Sequence, residues 1–202
     1  MSEVILHGVG PSSYVRTCRM ALDEKGVAYT LDPAMPQSPE QLARHPWGKI
    51  PSMTHGDVRL YESLAITRYV DEAFEGPALQ PADAAGRARM DQWISAFIDY
   101  MYAPIVRSIV IQRVVVETPD SDIIAAAVPD AAKCIGLLNE QLGATPYLAG
   151  ADLSLADLFV LPAINYVAMV PEGGPLLAEA GNVTAWAERM EARDAAQIAL
   201  AA

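Results

Sequence analysis

The chain has 202 residues, with 25 Asp and Glu against 14 Lys and Arg for a formal net charge of −11, and 52% of its residues are hydrophobic and 19% charged. That length can bury a sizeable core as one large domain or two small ones, and the composition is that of a soluble globular protein. A surface this acidic repels phosphate backbones at long range, which argues against nucleic acid as a partner.

The start, MSEVILHGVG, has neither a basic opening nor a long apolar stretch and does not read as a signal peptide. Val4-Ile5-Leu6 reads as a buried strand that feeds the loop His7-Gly8-Val9-Gly10-Pro11. Ser12-Ser13 then offers a helix N-cap before Tyr14 to Lys25, where Val15, Cys18, Ala21 and Leu22 recur at helical spacing and Gly26 supplies the stop. Val27 to Leu31 returns as a second strand, so the order implies a parallel βαβ unit. Three prolines, Pro33, Pro36 and Pro39, mark an irregular connection with a short helix from Pro39 to Arg44.

The next stretch, HPWGKIPSMTHGDVRLYES, is the most informative in the chain. Pro46 and Trp47-Gly48 make a loop, and Pro51 interrupts what would otherwise begin as a strand at Lys49-Ile50. Proline has no N–H to give a ladder, so the backbone of Ile50 is left free for an outside partner. A short strand, Ser52 to Thr54, turns at His55-Gly56-Asp57 into Val58 to Tyr61, an antiparallel hairpin that ends on Glu62-Ser63 and a helical pattern, LAITRYVDEAF. Two polar side chains and several unpaired N–H groups at a helix N-terminus attract a carboxylate. The sheet is complete by about Phe74, giving the element order β-α-β-α-β-β-α of a thioredoxin-like domain.

EGPALQPAD, from Glu75 to Asp83, reads as a linker, and everything after it is helical in pattern. A long helix spans Ala84 to Val116 with Trp93, Phe97, Ile98, Met101 and Ile105 on one face and a bend at Pro104; a second spans Ser121 to Leu142. Ser154 and Asp157 make a capping signal for an almost wholly apolar helix, the expected centre of this domain. Its run from Leu158 to Val170, broken by Pro162 and Asn165, is too short and interrupted to span a bilayer, so no membrane is expected. A last helix, roughly Asn182 to Arg193, precedes an Ala-rich tail to which the pattern assigns no element. The two cysteines, Cys18 and Cys134, form neither a disulfide framework nor a C-x-x-C pair, and the default location is the cytoplasm. His7, His45 and His55 share no ligand spacing with a Cys or carboxylate cluster, so no metal is indicated, and His45 reads as a loop residue.

GKIP, LYES and the AITRYV helix together resemble the glutathione-binding half of a cytosolic glutathione S-transferase. The resemblance extends to the Ser154-x-x-Asp157 cap and covers nearly the whole chain. It implies an α/β plus all-α fold, with a thioredoxin-like domain over residues 1–76, a linker over 77–83 and an all-helical domain over 84–202. It also implies a cis peptide before Pro51, main-chain hydrogen bonds from Ile50 to the cysteinyl part of glutathione, and a γ-glutamyl end held by Glu62 and Ser63. Lys49 lies where the glycine carboxylate needs a cation. The family's catalytic tyrosine falls at His7 or Gly8, so GPSSYVR resembles instead the serine-type pattern, as in a phi-, zeta- or theta-like bacterial member, with Ser12 as the active hydroxyl and Ser13 one register away. Zeta-type sequences carry Gln-Ser where this chain has Glu62-Ser63, and the phi-type His-Lys pair falls at Pro36-Gln37, so the class stays open.

The chemistry asked of Ser12 is modest. A free thiol titrates near ~8.5, and a downward shift of about two units corresponds to roughly 2.7 kcal/mol. One hydrogen bond to a charged acceptor supplies about 1.5–3 kcal/mol and a helix N-terminus about 0.3–1. The thiolate would then attack an electrophilic carbon or reduce a peroxide. The resemblance implies a homodimer, and a second, hydrophobic substrate against the long helix, where Tyr100, Met101, Ile105 and Ile109 are the candidates. Two other readings are a zeta-like glutathione-dependent cis–trans isomerase and a binding protein that kept the fold without turnover.

Overall fold

Four short strands form one sheet in the order β2-β1-β3-β4: β1 (Val4–His7), β2 (Tyr29–Asp32), β3 (Ser52–His55) and β4 (Val58–Tyr61). β1 runs parallel to β2 and antiparallel to β3, and β3 and β4 make the expected hairpin. This is the computed structural model of the chain, and it describes residues 2–201. Residues up to Gln80 together with those from Ala192 onward make one compact unit, and Pro81–Glu191 make the other.

In the first unit three helices alternate with the strands: α1 (Ser13–Glu24), α2 (Pro39–Arg44) and α3 (Ser63–Ala73). Val4 and Leu6 of β1, Val15, Cys18 and Leu22 of α1, and Ile66 and Val70 of α3 are all buried in its core. Lys25, just past α1, donates to Asp71 Oδ1 of α3 at 3.1 Å and to the carbonyl of Pro77, also at 3.1 Å, tying both helices to the chain that leaves the unit.

The Ala-rich tail is helical. α10 (Asp194–Leu200) lies on α1, with Arg193 gripping both oxygens of Glu24 at one end, at 2.6 and 2.7 Å. At the other end Arg19 donates to the carbonyls of Ile198 and Ala199, and Arg16 to that of Leu200. Guanidinium groups over the last carbonyls of a helix satisfy groups that have no partner within it. The sequence grouped this tail with the helical domain; its contacts instead lie in the first unit.

The second unit begins with one continuous helical run, α4 (Ala84–Ala96), a π-helical segment (Phe97–Val110) and α5 (Ile111–Val114). Ahead of Pro104, which has no N–H to donate, the chain is already wound in the wider i to i+5 pattern. Phe97, Met101, Ile105 and Ile109 therefore recur on the buried side, whereas Ile98, expected on that face, is exposed. This 31-residue run is long and apolar enough to cross a bilayer by length and composition; here those buried residues pack it into the helical unit.

α6 (Ser121–Ala144) and α7 (Leu155–Ala168) pack against it, and α8 (Gly173–Leu177) and α9 (Gly181–Glu191) pack against α6 and α7. α7 is buried nearly all round, as its composition predicts. At its start Asp157 accepts from the Ser154 N–H and hydroxyl, each at 2.9 Å, and its other oxygen accepts from the Leu148 N–H and the Trp186 indole N–H, each at 3.0 Å. A buried carboxylate with four donors joins α7, α9 and the 145–154 loop through one side chain. Trp186→Phe removes one donor and keeps most of the ring. It should cost about 1–3 kcal/mol, read as a lower Tm or denaturation midpoint.

Candidate active site

Three segments meet at one end of the sheet in the first unit. β1 ends at His7, and Gly8 follows so tightly that an added Cβ would lie 2.5 Å from Cγ2 of Val15 in α1 and 3.6 Å from Cβ of Ile50. Only a glycine lets the first turn of α1 come this close, while the Ile50 loop lies at ordinary contact distance. From the other side, the Cys18 thiol of α1 lies 4.0 Å from the carbonyl of Ser63, which also accepts from the Thr67 hydroxyl at 2.9 Å. Ser12, Ile50 and Ser63 are thus gathered round one turn of α1 by contacts that the sequence does not display.

Ser12 is the N-cap of α1, with extended φ and ψ of −67° and 126°, and its Oγ accepts from the Val15 N–H at 3.5 Å. Its oxygen is in use while its hydrogen has no acceptor among the described residues, so the hydroxyl can donate to an anion. Ser13, one register away, is buried as the first residue of the helix. His7, at the position where the tyrosine would fall, is buried with Nδ1 2.8 Å from Asp32 and Nε2 3.2 Å from Thr54, so both ring nitrogens are engaged.

β3 starts only at Ser52, paired with His7, and the Ile50–Pro51 peptide is cis, as the resemblance implies. Neither the N–H nor the C=O of Ile50 has a hydrogen bond among the described residues. Lys49 is exposed, and its ammonium makes no ion pair among them.

At the start of α3, Glu62 sits at φ +69°, a left-handed conformation that a non-glycine residue rarely takes. No side chain caps the first turn of α3, so its orphan N–H groups stay available. Beside Glu62 stands a residue that sequence reasoning left in a loop. His45, 2% exposed, closes α2, accepts from the Trp47 N–H at Nδ1 (3.2 Å) and brings Nε2 to 3.7 Å from Glu62 Oε1. Its ring centroid is 4.8 Å from that of Tyr61. Gln37 was also missed: it takes φ +65° and donates from its amide to the Trp47 carbonyl at 2.8 Å, holding the loop ahead of Lys49.

Of the four second-substrate candidates, Met101, Ile105 and Ile109 are buried in the helical unit, while Tyr100 is 72% exposed. Tyr100 and Met101 line a groove of about 780 Å³ with Trp93, Cys134 and Leu137, and Ile105 and Ile109 do not reach it. Burial pushes the thiols of Cys18 and Cys134 up from their ordinary value, which disfavours the thiolate at both. No cluster of three or more His, Cys, Asp or Glu side chains suited to a metal occurs among the described residues.

An open main-chain segment, a serine that caps one helix and an uncapped start of another are thus carried on a thioredoxin-like sheet, which an all-helical unit follows. The family models for the glutathione S-transferase N-terminal and C-terminal domains match residues 6–78 and 121–189. Glutathione S-transferase 3 of Zea mays is 30% identical over 100% of this chain and 95% of its own. The solved structure of glutathione transferase F7 from Populus trichocarpa superposes with a TM-score of 0.89 at 29% identity, covering 98% of this chain and 97% of that one. Maize glutathione S-transferase I, in complex with an atrazine glutathione conjugate, gives 0.88 at 27% identity, covering 99% and 97%. The chain belongs to the glutathione S-transferase family, and it is a glutathione-binding transferase.

Burial lowers the pKa of His45 from its ordinary 6.5, with the Glu62 carboxylate pulling the other way. A folded pKa below the unfolded one means that the unfolded chain binds the extra proton, so this site loses stability as pH falls through the unfolded value. His45→Gln should flatten that loss: between about pH 7 and about pH 5 the variant's unfolding free energy should fall less than the wild type's, as read by urea titration.

Proposed function

We propose that the enzyme forms the glutathione thiolate with the help of Ser12 and transfers it to the electrophilic carbon of a small hydrophobic substrate. The carrying observation is the capped serine: its Oγ is occupied by the Val15 N–H, and its hydrogen is unspent at the positive end of α1. A thiolate placed there gains one charge-assisted hydrogen bond and the helix dipole, together enough for a shift of about two pKa units. The sulfur then attacks, a carbon–sulfur bond forms and the leaving group departs with the electron pair.

In the same reading the cysteinyl main chain pairs with Ile50. Ser63 and the uncapped first turn of α3 receive the γ-glutamyl α-carboxylate, and Glu62 receives its ammonium. Lys49 faces the glycine carboxylate, a role supported by its free, exposed ammonium. The maize complex with an atrazine glutathione conjugate supports a small organic molecule as the acceptor of glutathione. Among the second-substrate candidates Tyr100 is the accessible one. Its neighbour Leu137 is also exposed on the groove, and such an apolar surface equally supports a homodimer. Both cysteines are free, in keeping with a cytoplasmic setting.

Ser12→Ala should abolish the thiolate absorbance of bound glutathione at neutral pH, its thiol pKa rising by about two units. Unchanged absorbance would reject Ser12 as the thiolate's partner.

A further inference from the structure

α2 is seated on its sheet in an unusual way. Its sequence, PEQLAR, offers Leu42 as the obvious apolar anchor, yet Leu42 is 46% exposed and the helix's one buried residue is Gln41, at 0%. Apolar contact is non-directional, whereas an amide held at both ends fixes orientation. Gln41 Nε2 donates to the main-chain carbonyl of Lys49 at 2.5 Å and lies 3.2 Å from Ser52 Oγ, and the Ser52 hydroxyl lies 3.3 Å from Gln41 Oε1. These partners stand on either side of Ile50–Pro51. The amide therefore clips together the two ends of the segment whose middle carries unpaired main-chain groups.

We infer that Gln41 is a positioning residue for glutathione. It has no surface with which to touch a ligand; it acts by fixing Lys49 and Ser52, and through them the direction in which Ile50 offers its N–H and C=O. Without the clip, the Lys49 carbonyl and the Ser52 hydroxyl lose their partner, and the segment can turn about its Ser52 end, which the sheet alone then holds. Main-chain pairing is sensitive to such a turn because a hydrogen bond weakens steeply as its angle closes. The inference rests on the reading of Ile50 as glutathione's main-chain partner.

The test compares glutathione with its analogue methylated on the cysteinyl amide nitrogen, which cannot donate to Ile50, by calorimetric binding to the full chain. Wild type should bind glutathione about tenfold tighter than the analogue, the cost of leaving one acceptor unpaired. In Gln41→Asn, too short to bridge Lys49 and Ser52, glutathione should weaken about fivefold or more while the analogue, left with only the bond from the Ile50 N–H, weakens about half as much on a logarithmic scale, so that the preference shrinks. Gln41→Met, which keeps the length without polar atoms, should behave the same way and serves if the first variant does not fold. A variant that weakens both ligands equally, or neither, makes Gln41 a stability residue only and overturns the inference. If wild type itself fails to prefer glutathione, the Ile50 reading falls first.

Discussion

The site depends on a gap in a β-ladder. β3 begins at Ser52 because Pro51 has no N–H to give, and the residue before it is left with both main-chain groups unpaired beyond the end of a central strand. An unpaired segment of this kind is costly to leave exposed in a fixed shape, and several side chains are given over to holding it. Gln41 clips its ends from α2, Gln37 holds the preceding loop, and Gly8 lets Val15 of α1 approach from the other side. In the proposed reading this segment receives a peptide main chain, beside the start of one helix that a serine caps and another that no side chain caps.

The electrostatics follow from that placement. In the proposed reading the N-terminus of α1 favours negative charge without a buried base, and a single hydroxyl is enough to tip a thiol toward its anion. Burial disfavours the thiolate at the chain's own cysteines. The region's charged side chains divide accordingly: Lys49 is exposed and free of ion pairs, while Glu62 is held against a buried imidazole.

The parts of this arrangement written in local sequence were legible in advance. The hairpin ends on Tyr61 and α2 spans Pro39–Arg44, since turn residues and prolines mark both, and the Ser154–Asp157 cap is in place. What local pattern cannot carry is the fate of a polar residue whose partner lies far along the chain. His45 read as a loop residue, and nothing in PEQLAR marks Gln41 as buried, because their partners at Lys49, Ser52 and Glu62 are supplied by the fold. The same holds for α10, whose alanines say little until Arg16 and Arg19 take its carbonyls. The π-helical winding ahead of Pro104 shifted the phase of the long helix and put Ile98 outside, which a count at 3.6 residues per turn does not anticipate.

The most direct test of the central claim is a crystal structure of the protein with glutathione. The account predicts the cysteinyl N–H and C=O within hydrogen-bond distance of the Ile50 main chain, and the sulfur nearer to Ser12 Oγ than to any other polar atom. A tripeptide whose main chain leaves Ile50 unpaired, or whose sulfur rests on a different polar group, would contradict it.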